Sequence, residues 1–204
     1  PARARARAIL GIAPGAPMAL FAAHGGARAA YKSGSRWPEL WRALREGLPG
    51  ATAFAVGGDE TGEHDGLTVW PYVDRAKLTL LMRAADALVY PTLADNHPLV
   101  LLEAAAMELP VAGFAVGGLP EIVLDGETGL LAPPGDDDAL LRCARALLAD
   151  AALGHGLARR LGQAARAHGA KRFTAARMAA DYAALTASPG HESAPAKPPQ
   201  PNSL

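Results

Sequence analysis

Cysteine is nearly missing from this chain: Cys143 is the single one in 204 residues. No internal disulfide can form, so the fold has to be held by burial and hydrogen bonding, and the count agrees with a reducing compartment. An excess of charge of either sign is also missing. Twenty Lys and Arg cancel twenty Asp and Glu, which leaves no basic field to recruit nucleic acid and no long charge block. No apolar run approaches the ~18–20 residues that a membrane helix needs. Nor does any Ser-His-Asp or Cys-His order stand out, so nothing points to covalent nucleophilic chemistry.

What is present is 50% apolar and 20% charged, the balance of one globular domain plus a tail. Short apolar runs alternate with helical patterns, which predicts an α/β fold: a Rossmann-like, doubly wound parallel sheet with helices on both faces. Strands are expected at 17–23, 52–56, 67–70, 87–90, 111–114 and 129–132, with a polar loop ahead of Leu67. Helices are expected at 36–48, after a cap at Asp74, from Pro98, from the 136–138 acids to about 172, and from a cap at Thr174 to about 186. Trp37, Leu40, Trp41 and Leu44 recur at helical spacing and read as core. Cys143, within a helical pattern, reads as a small buried apolar residue. From 188 onward the composition collapses to Pro, Ser, Ala and Gly, the signature of a disordered tail.

Residues 95–103, Asp-Asn-His-Pro-Leu-Val-Leu-Leu-Glu, are the stretch around which the rest is organised. Pro98 suits a first helical position, because its φ is already helical and its missing N–H would have had no partner. The amides of Leu99 and Val100 then stand at the positive end of a helix that follows a strand, where a phosphate or sugar hydroxyl is attracted. Asp95 stands just outside that end, followed by Asn96 and His97. Glu103 lies almost two turns in, among apolar neighbours, and a carboxylate buried there without a partner costs on the order of 2–7 kcal/mol. Ribose hydroxyls would serve as partners, and a protein Lys or Arg is the plainer alternative. For Asp95 the plainer alternative is an ordinary turn residue, and for His97 a capping or exposed role.

The continuation, Glu-Ala-Ala-Ala-Met-Glu-Leu-Pro-Val-Ala-Gly-Phe-Ala-Val-Gly-Gly-Leu-Pro-Glu over 103–121, makes the pattern specific. It is similar to the donor-binding signature of retaining GT-B glycosyltransferases of family four: an acid, seven residues, Glu-Ala, then a small residue, Pro-Val and a Gly-Gly-Leu/Val-Pro-Glu loop. The resemblance implies that Asp95 contacts the transferred sugar and Glu103 the ribose of a nucleoside-diphosphate sugar. Two positions depart from it: Asp95 is one methylene shorter than the commoner Glu, and Glu108 stands where a Gly is usual. In the family a loop after the first strand holds the diphosphate through a basic residue and a Lys before Gly. Lys32 matches the Lys and Arg28 the basic position, with incidental surface charge as the alternative for both. Gly26, and the neighbouring His24, lie in the same loop, where Gly lets backbone approach a ligand. Fixed cations there would stabilise the charge that gathers on the leaving diphosphate. Gly117 and Gly118 are expected at positive φ with their amides toward a ligand. Glu121 is expected near the sugar loop, or simply as a complement to a helix dipole. The Gly57-Gly58-Asp59 turn and residues 71–73 are further candidates for the nucleotide edge. The 136–138 acids read as a helix cap and first turn rather than a metal site, and neither a metal nor a cofactor is expected.

The resemblance covers residues 1–185 or so, all of it the donor half. It implies 1–16 as a linker or helix from a missing N-terminal acceptor domain, 17–187 as the nucleotide-sugar-binding domain, and 188–204 as tail. The implied function is retaining transfer of a sugar from a nucleotide-sugar donor to a glycan or lipid-linked acceptor, as in polysaccharide biosynthesis, without nucleic acid. The implied location is cytoplasmic, or peripheral at the inner membrane face. Two other readings stand beside it: a non-catalytic nucleotide-sugar-binding module, and a nucleotide-sugar epimerase of similar architecture. The Asp95-to-Glu103 signature with its Gly-Gly-Leu-Pro loop argues against the epimerase.

Overall fold

The computed structural model describes residues 2–22, 34–58 and 61–187. Every run read as a strand forms one: β1 Met18–Ala22, β2 Thr52–Val56, β4 Leu67–Trp70, β5 Ala87–Tyr90, β6 Val111–Phe114 and β7 Leu130–Ala132. One strand, β3 Gly62–His64, falls in the stretch read as a polar loop. It pairs antiparallel with β4 at the sheet edge, joined by Asp65-Gly66. Both turn residues have positive φ, 51° and 81°, as a two-residue primed turn requires, and an Asp-Gly pair is its sequence signal. The signal went unread because β3 is polar, having no apolar face to bury.

The order across the seven-stranded sheet is β3-β4-β2-β1-β5-β6-β7, with parallel pairing at every step except β3 to β4. Connections run outward in one direction from β1 and in the other from β5. This is the doubly wound Rossmann-like order, and its reversal lies between β1 and β5.

The helices are α1 Ala2–Ile9, α2 Trp37–Arg45 behind a 3₁₀ turn, α3 Arg75–Ala84, α4 Leu99–Ala106, α5 Leu119–Ile122, α6 Asp137–Leu153, α7 Leu157–Arg172 and α8 Ala175–Ala187. Alternate strand residues point to opposite faces, so the core is two layers. Ala19, Phe21, Val89, Ala112 and Phe114 meet α2, α6 and the start of α7, and Trp37, Leu40, Trp41 and Leu44 are buried there as their spacing predicts. Met18, Leu20, Phe54, Leu88, Tyr90 and Val111 meet α1, α3, α4 and α5. Cys143 is half-buried rather than fully buried, and desolvation is the main reason its thiol pKa is raised. None of the described helices is long and apolar enough to cross a membrane.

Polar groups close the helix ends as the sequence indicates. Asp74 accepts from the Lys77 amide (2.8 Å), Asp136 from Ala139 (2.9 Å) and Thr174 from Arg177 (3.2 Å). Asp137, in the same acidic run, pairs with Arg36. The start of α7 has no cap of its own, and Asp150 on α6 supplies one by accepting from the Ala158 amide at 2.8 Å.

At the amino ends of the strands, Arg7 of α1 is buried beside Asp86. Its guanidinium donates to the carbonyls of Ala84 (3.0 Å), Pro14 (2.6 Å) and Ala16 (2.6 Å) and to Asp86 Oδ2 (3.0 Å). Asp86 also accepts from the Met18 amide at 2.8 Å and from Arg3. Burial draws the Arg7 pKa below its usual value, and Asp86 works against that.

α4 ends with Glu108 N–H bonded to the Ala105 carbonyl and Leu109 N–H to the Ala104 carbonyl, both at 3.0 Å. This is the Schellman pattern, whose turning residue takes a left-handed conformation, and Glu108 sits at φ 58°. The usual Gly there is thereby explained. Directly above it, α7 approaches so closely that a Cβ on Gly162 would lie 2.0 Å from the Glu108 carbonyl oxygen. Two substitutions at this contact should therefore act in opposite directions. Gly162→Ala is expected to destabilise the fold by about 1–3 kcal/mol through overpacking. Glu108→Gly should raise stability by up to about 1 kcal/mol as the left-handed strain is relieved, even with loss of the exposed Arg166 pair. Denaturant midpoints of the two variants check both signs.

Candidate functional site at the sheet switch point

The loops that leave β5 and β6 emerge together at the carboxyl edge, where a doubly wound sheet binds its ligands. After β5 the chain turns at Pro91, and the fully buried Thr92 donates its hydroxyl to the Ala94 carbonyl at 3.0 Å. The half-buried Asp95 follows. Tyr90, 2% exposed, donates its phenolic O–H to Asp95 Oδ2 at 2.9 Å, and the His97 amide lies 3.3 Å from Oδ1. The carboxylate is thus held from both oxygens.

The Gly117-Gly118 loop after β6 locks against this turn. A Cβ on Gly117 would fall 2.1 Å from the Asp95 carbonyl oxygen, and one on Gly118 would fall 1.8 Å from that of Asn96. Gly117 has the expected positive φ, 51°, whereas Gly118 has φ −87°. The Gly118 amide is not directed at a ligand, because it donates to the Asp95 carbonyl at 3.0 Å. These glycines are dictated in the first place by the contact between the two loops.

α4 begins at Leu99, with Pro98 as its N-cap residue at φ −68°, ψ 108°. The helix thus starts one position later than expected, since Pro98 keeps the extended ψ of the incoming loop. The amides of Leu99 and Val100 lie in the first turn, which no helical carbonyl can reach. The expectation of a helix buried nearly all round is corrected. Leu101, Ala104 and Ala105 are buried, whereas Leu99 is 67% exposed and Ala106 is exposed. Leu102 and Glu103 lie half-buried on the same open side. Glu103 therefore keeps partial access to water, and its unpartnered cost is smaller than for full burial. Among the described residues no donor reaches its carboxylate.

Asn96 and His97 are exposed, and the His97 ring packs 5.6 Å from Phe173, at the junction of α7 and α8. Phe173 in turn meets His168 edge-on at 5.7 Å. His168 Nε2 lies 3.4 Å from the Glu121 carbonyl. Glu121 sits inside α5 and is exposed, near enough to the helix start to complement its dipole. Gly26, Arg28, Lys32, His24 and Asp59 lie outside the described residues. Sequence reasoning missed Tyr90 and Phe173. Tyr90 was legible in principle, as the one side chain with a polar tip in an otherwise apolar strand.

A concavity of about 920 Å³ opens at the other edge of the sheet, lined by Arg3, Arg7, Asp86, Glu108, Pro110 and Arg166. Three of its cations, Arg3, Arg7 and Arg166, are already paired with Asp86 and Glu108. We place the site by chemistry and topology rather than by size.

Residues 38–150 match the family described as glycosyl transferases group 1. The chain is a member of that family. Its most similar relatives include the D-inositol 3-phosphate glycosyltransferase of Mycobacteroides abscessus, 36% identical over 112 residues, a match covering 47% of this chain and 25% of that protein. Among solved structures, sucrose-phosphate synthase from Thermosynechococcus elongatus superposes with a TM-score of 0.71 at 30% identity, over 90% of this chain and 49% of that one. The Anabaena protein HepE, in complex with UDP-glucose, superposes with a TM-score of 0.73 at 19% identity, over 91% and 52%, and shares the fold. The group 1 glycosyltransferase chain described here thus spans a quarter of the first relative and about half of each structure, with the Rossmann-like half of a GT-B fold.

The interlocked loops yield a sharp expectation. Gly118→Ala should destabilise the protein by about 3 kcal/mol, because backbone and not a flexible side chain must yield. Chemical denaturation of the variant checks it, and a change under about 0.5 kcal/mol would count against this packing.

Proposed function

We propose that residues 17–187 form the donor domain of a retaining glycosyltransferase, binding a nucleoside-diphosphate sugar whose sugar passes to a hydroxyl of a glycan or lipid-linked acceptor. The observation that carries the reading is a pair of carboxylates, one just before α4 and one on it, at the carboxyl edge of the sheet. Asp95 is held just before the first turn of α4, and Glu103 lies on the open side of the same helix. The complex of HepE with UDP-glucose supports a nucleotide-sugar donor, and the names of the relatives support glycosyl transfer.

In this reading Asp95 accepts from hydroxyls of the transferred sugar and Glu103 from the ribose. The amides of Leu99 and Val100 face the donor, with Asn96 and His97 beside it. Gly118 acts by letting the loops meet, Glu121 stands beside them on α5, and Gly26 contributes to donor binding. When the bond from the anomeric carbon to the diphosphate oxygen breaks, negative charge gathers on the diphosphate. Lys32, Arg28 and the helix N-terminus stabilise that charge electrostatically, so no divalent metal is needed. The acceptor side, including any base, is supplied by a partner domain, with residues 1–16 leading from it. The enzyme works in the cytoplasm or at the inner face of the membrane. Because these residues span about half of the neighbouring structures, binding without turnover is the expected activity of the 204 residues alone.

Calorimetric titration with UDP, GDP and UDP-sugars tests the proposal. One nucleotide is expected to bind, and Glu103→Ala and Lys32→Ala should each weaken it by about tenfold or more, the range for a hydrogen bond to a charged group. Absence of binding by a demonstrably folded chain would overturn the donor reading for these residues.

A further inference from the structure

We infer that Tyr90 is the positioning residue for Asp95, and that the pair selects the sugar part of the donor rather than its nucleotide. The inference rests on the donor-site reading above. Tyr90 closes β5 at the switch point, with its ring buried in the layer formed with α4 and α5. Its neighbour across the sheet is Gly113. A Cβ at Gly113 would come within 3.2 Å of the Tyr90 carbonyl oxygen and 3.3 Å of Leu119 Cδ2, so the missing side chain leaves the room that the Tyr90 and Leu119 side chains occupy. A ring packed this way has little rotational freedom, and its hydroxyl is delivered to one point, 2.9 Å from Asp95 Oδ2.

A phenol donating to a carboxylate is a charge-assisted bond, stronger than a neutral one. Together with the His97 amide on Oδ1, it fixes both the plane of the carboxylate and its depth in the site. Asp95 has the shorter of the two acidic side chains, so these anchors bear directly on its reach toward a sugar. Sugar hydroxyls meet an acceptor already oriented, and the ordering cost of that contact has been met on folding. The nucleotide is read by other groups, so its affinity should not depend on Tyr90.

The test compares UDP with UDP-glucose, and GDP with GDP-mannose, by calorimetry on the whole chain. The four proteins are wild type, Tyr90→Phe, Asp95→Ala and the double variant. Tyr90→Phe is expected to weaken the nucleotide sugar by about tenfold and to leave the nucleoside diphosphate within about twofold. In the Asp95→Ala background, Tyr90→Phe should have no further effect, because the two act as one unit. Equal weakening of nucleotide and nucleotide sugar, a persistent effect in the Asp95→Ala background, or no effect at all would overturn the inference while leaving the donor site standing. Nucleotide-sugar binding unchanged by Asp95→Ala would remove Asp95 from the sugar, and Tyr90 with it. Wild-type protein that binds none of the four compounds would overturn the donor reading itself.

Discussion

Two loops cross at the carboxyl edge of the sheet at a separation that leaves no room for a single methyl group. The turn that carries Asp95 and Asn96 rests its carbonyls against Gly117 and Gly118, and the Gly118 amide closes the contact through the Asp95 carbonyl. Everything functional at this edge depends on that crossing. It fixes where Asp95 stands relative to β5, and hence whether the Tyr90 hydroxyl can reach its carboxylate. It also sets the angle at which the chain enters α4. The Gly-Gly pair is therefore an architectural requirement before it is a ligand contact.

The sheet could be read from the chain because its parallel strands are buried on both faces, and burial imposes continuous apolar runs between helical patterns. Val111–Phe114 and Ala87–Tyr90 were legible to the residue for that reason. β3 was not, since an edge strand of Gly-Glu-His has no core to face, although its Asp-Gly turn was there to be read. The candidate site was legible only in part. Asp95 and Glu103 stand out by residue type and spacing. The exposure of α4 does not, because Leu99 and Leu102 are apolar whether they face a core or an open cleft. The links from Tyr90 to Asp95 and from Phe173 to His97 join elements through space, and no local pattern encodes them.

The other side of α4 shows how a departure from a family pattern can be tolerated. Glu108 holds a backbone conformation suited to Gly, and α7 presses Gly162 onto its carbonyl. The strain of one residue is absorbed where its partner helix has given up a side chain altogether. α4 is consequently firm along its inner side and at its end, and open only where Leu99 and Glu103 look outward. A helix anchored in this way can offer a carboxylate without moving to do so.

The buried pair of Arg7 and Asp86 bears on how this Rossmann-like half could be excised and joined to other domains. By sequence the natural cut lies near Pro17, at the head of the first strand. A chimera joined there would discard α1 and strand the Asp86 carboxylate inside the protein, with the Met18 amide as its remaining donor among those described. Leaving one member of a buried ion pair unmatched costs several kcal/mol, on the order of 3–5. The portable unit therefore starts at or before Arg3, so the arginine-rich opening stretch travels with the sheet as its foundation.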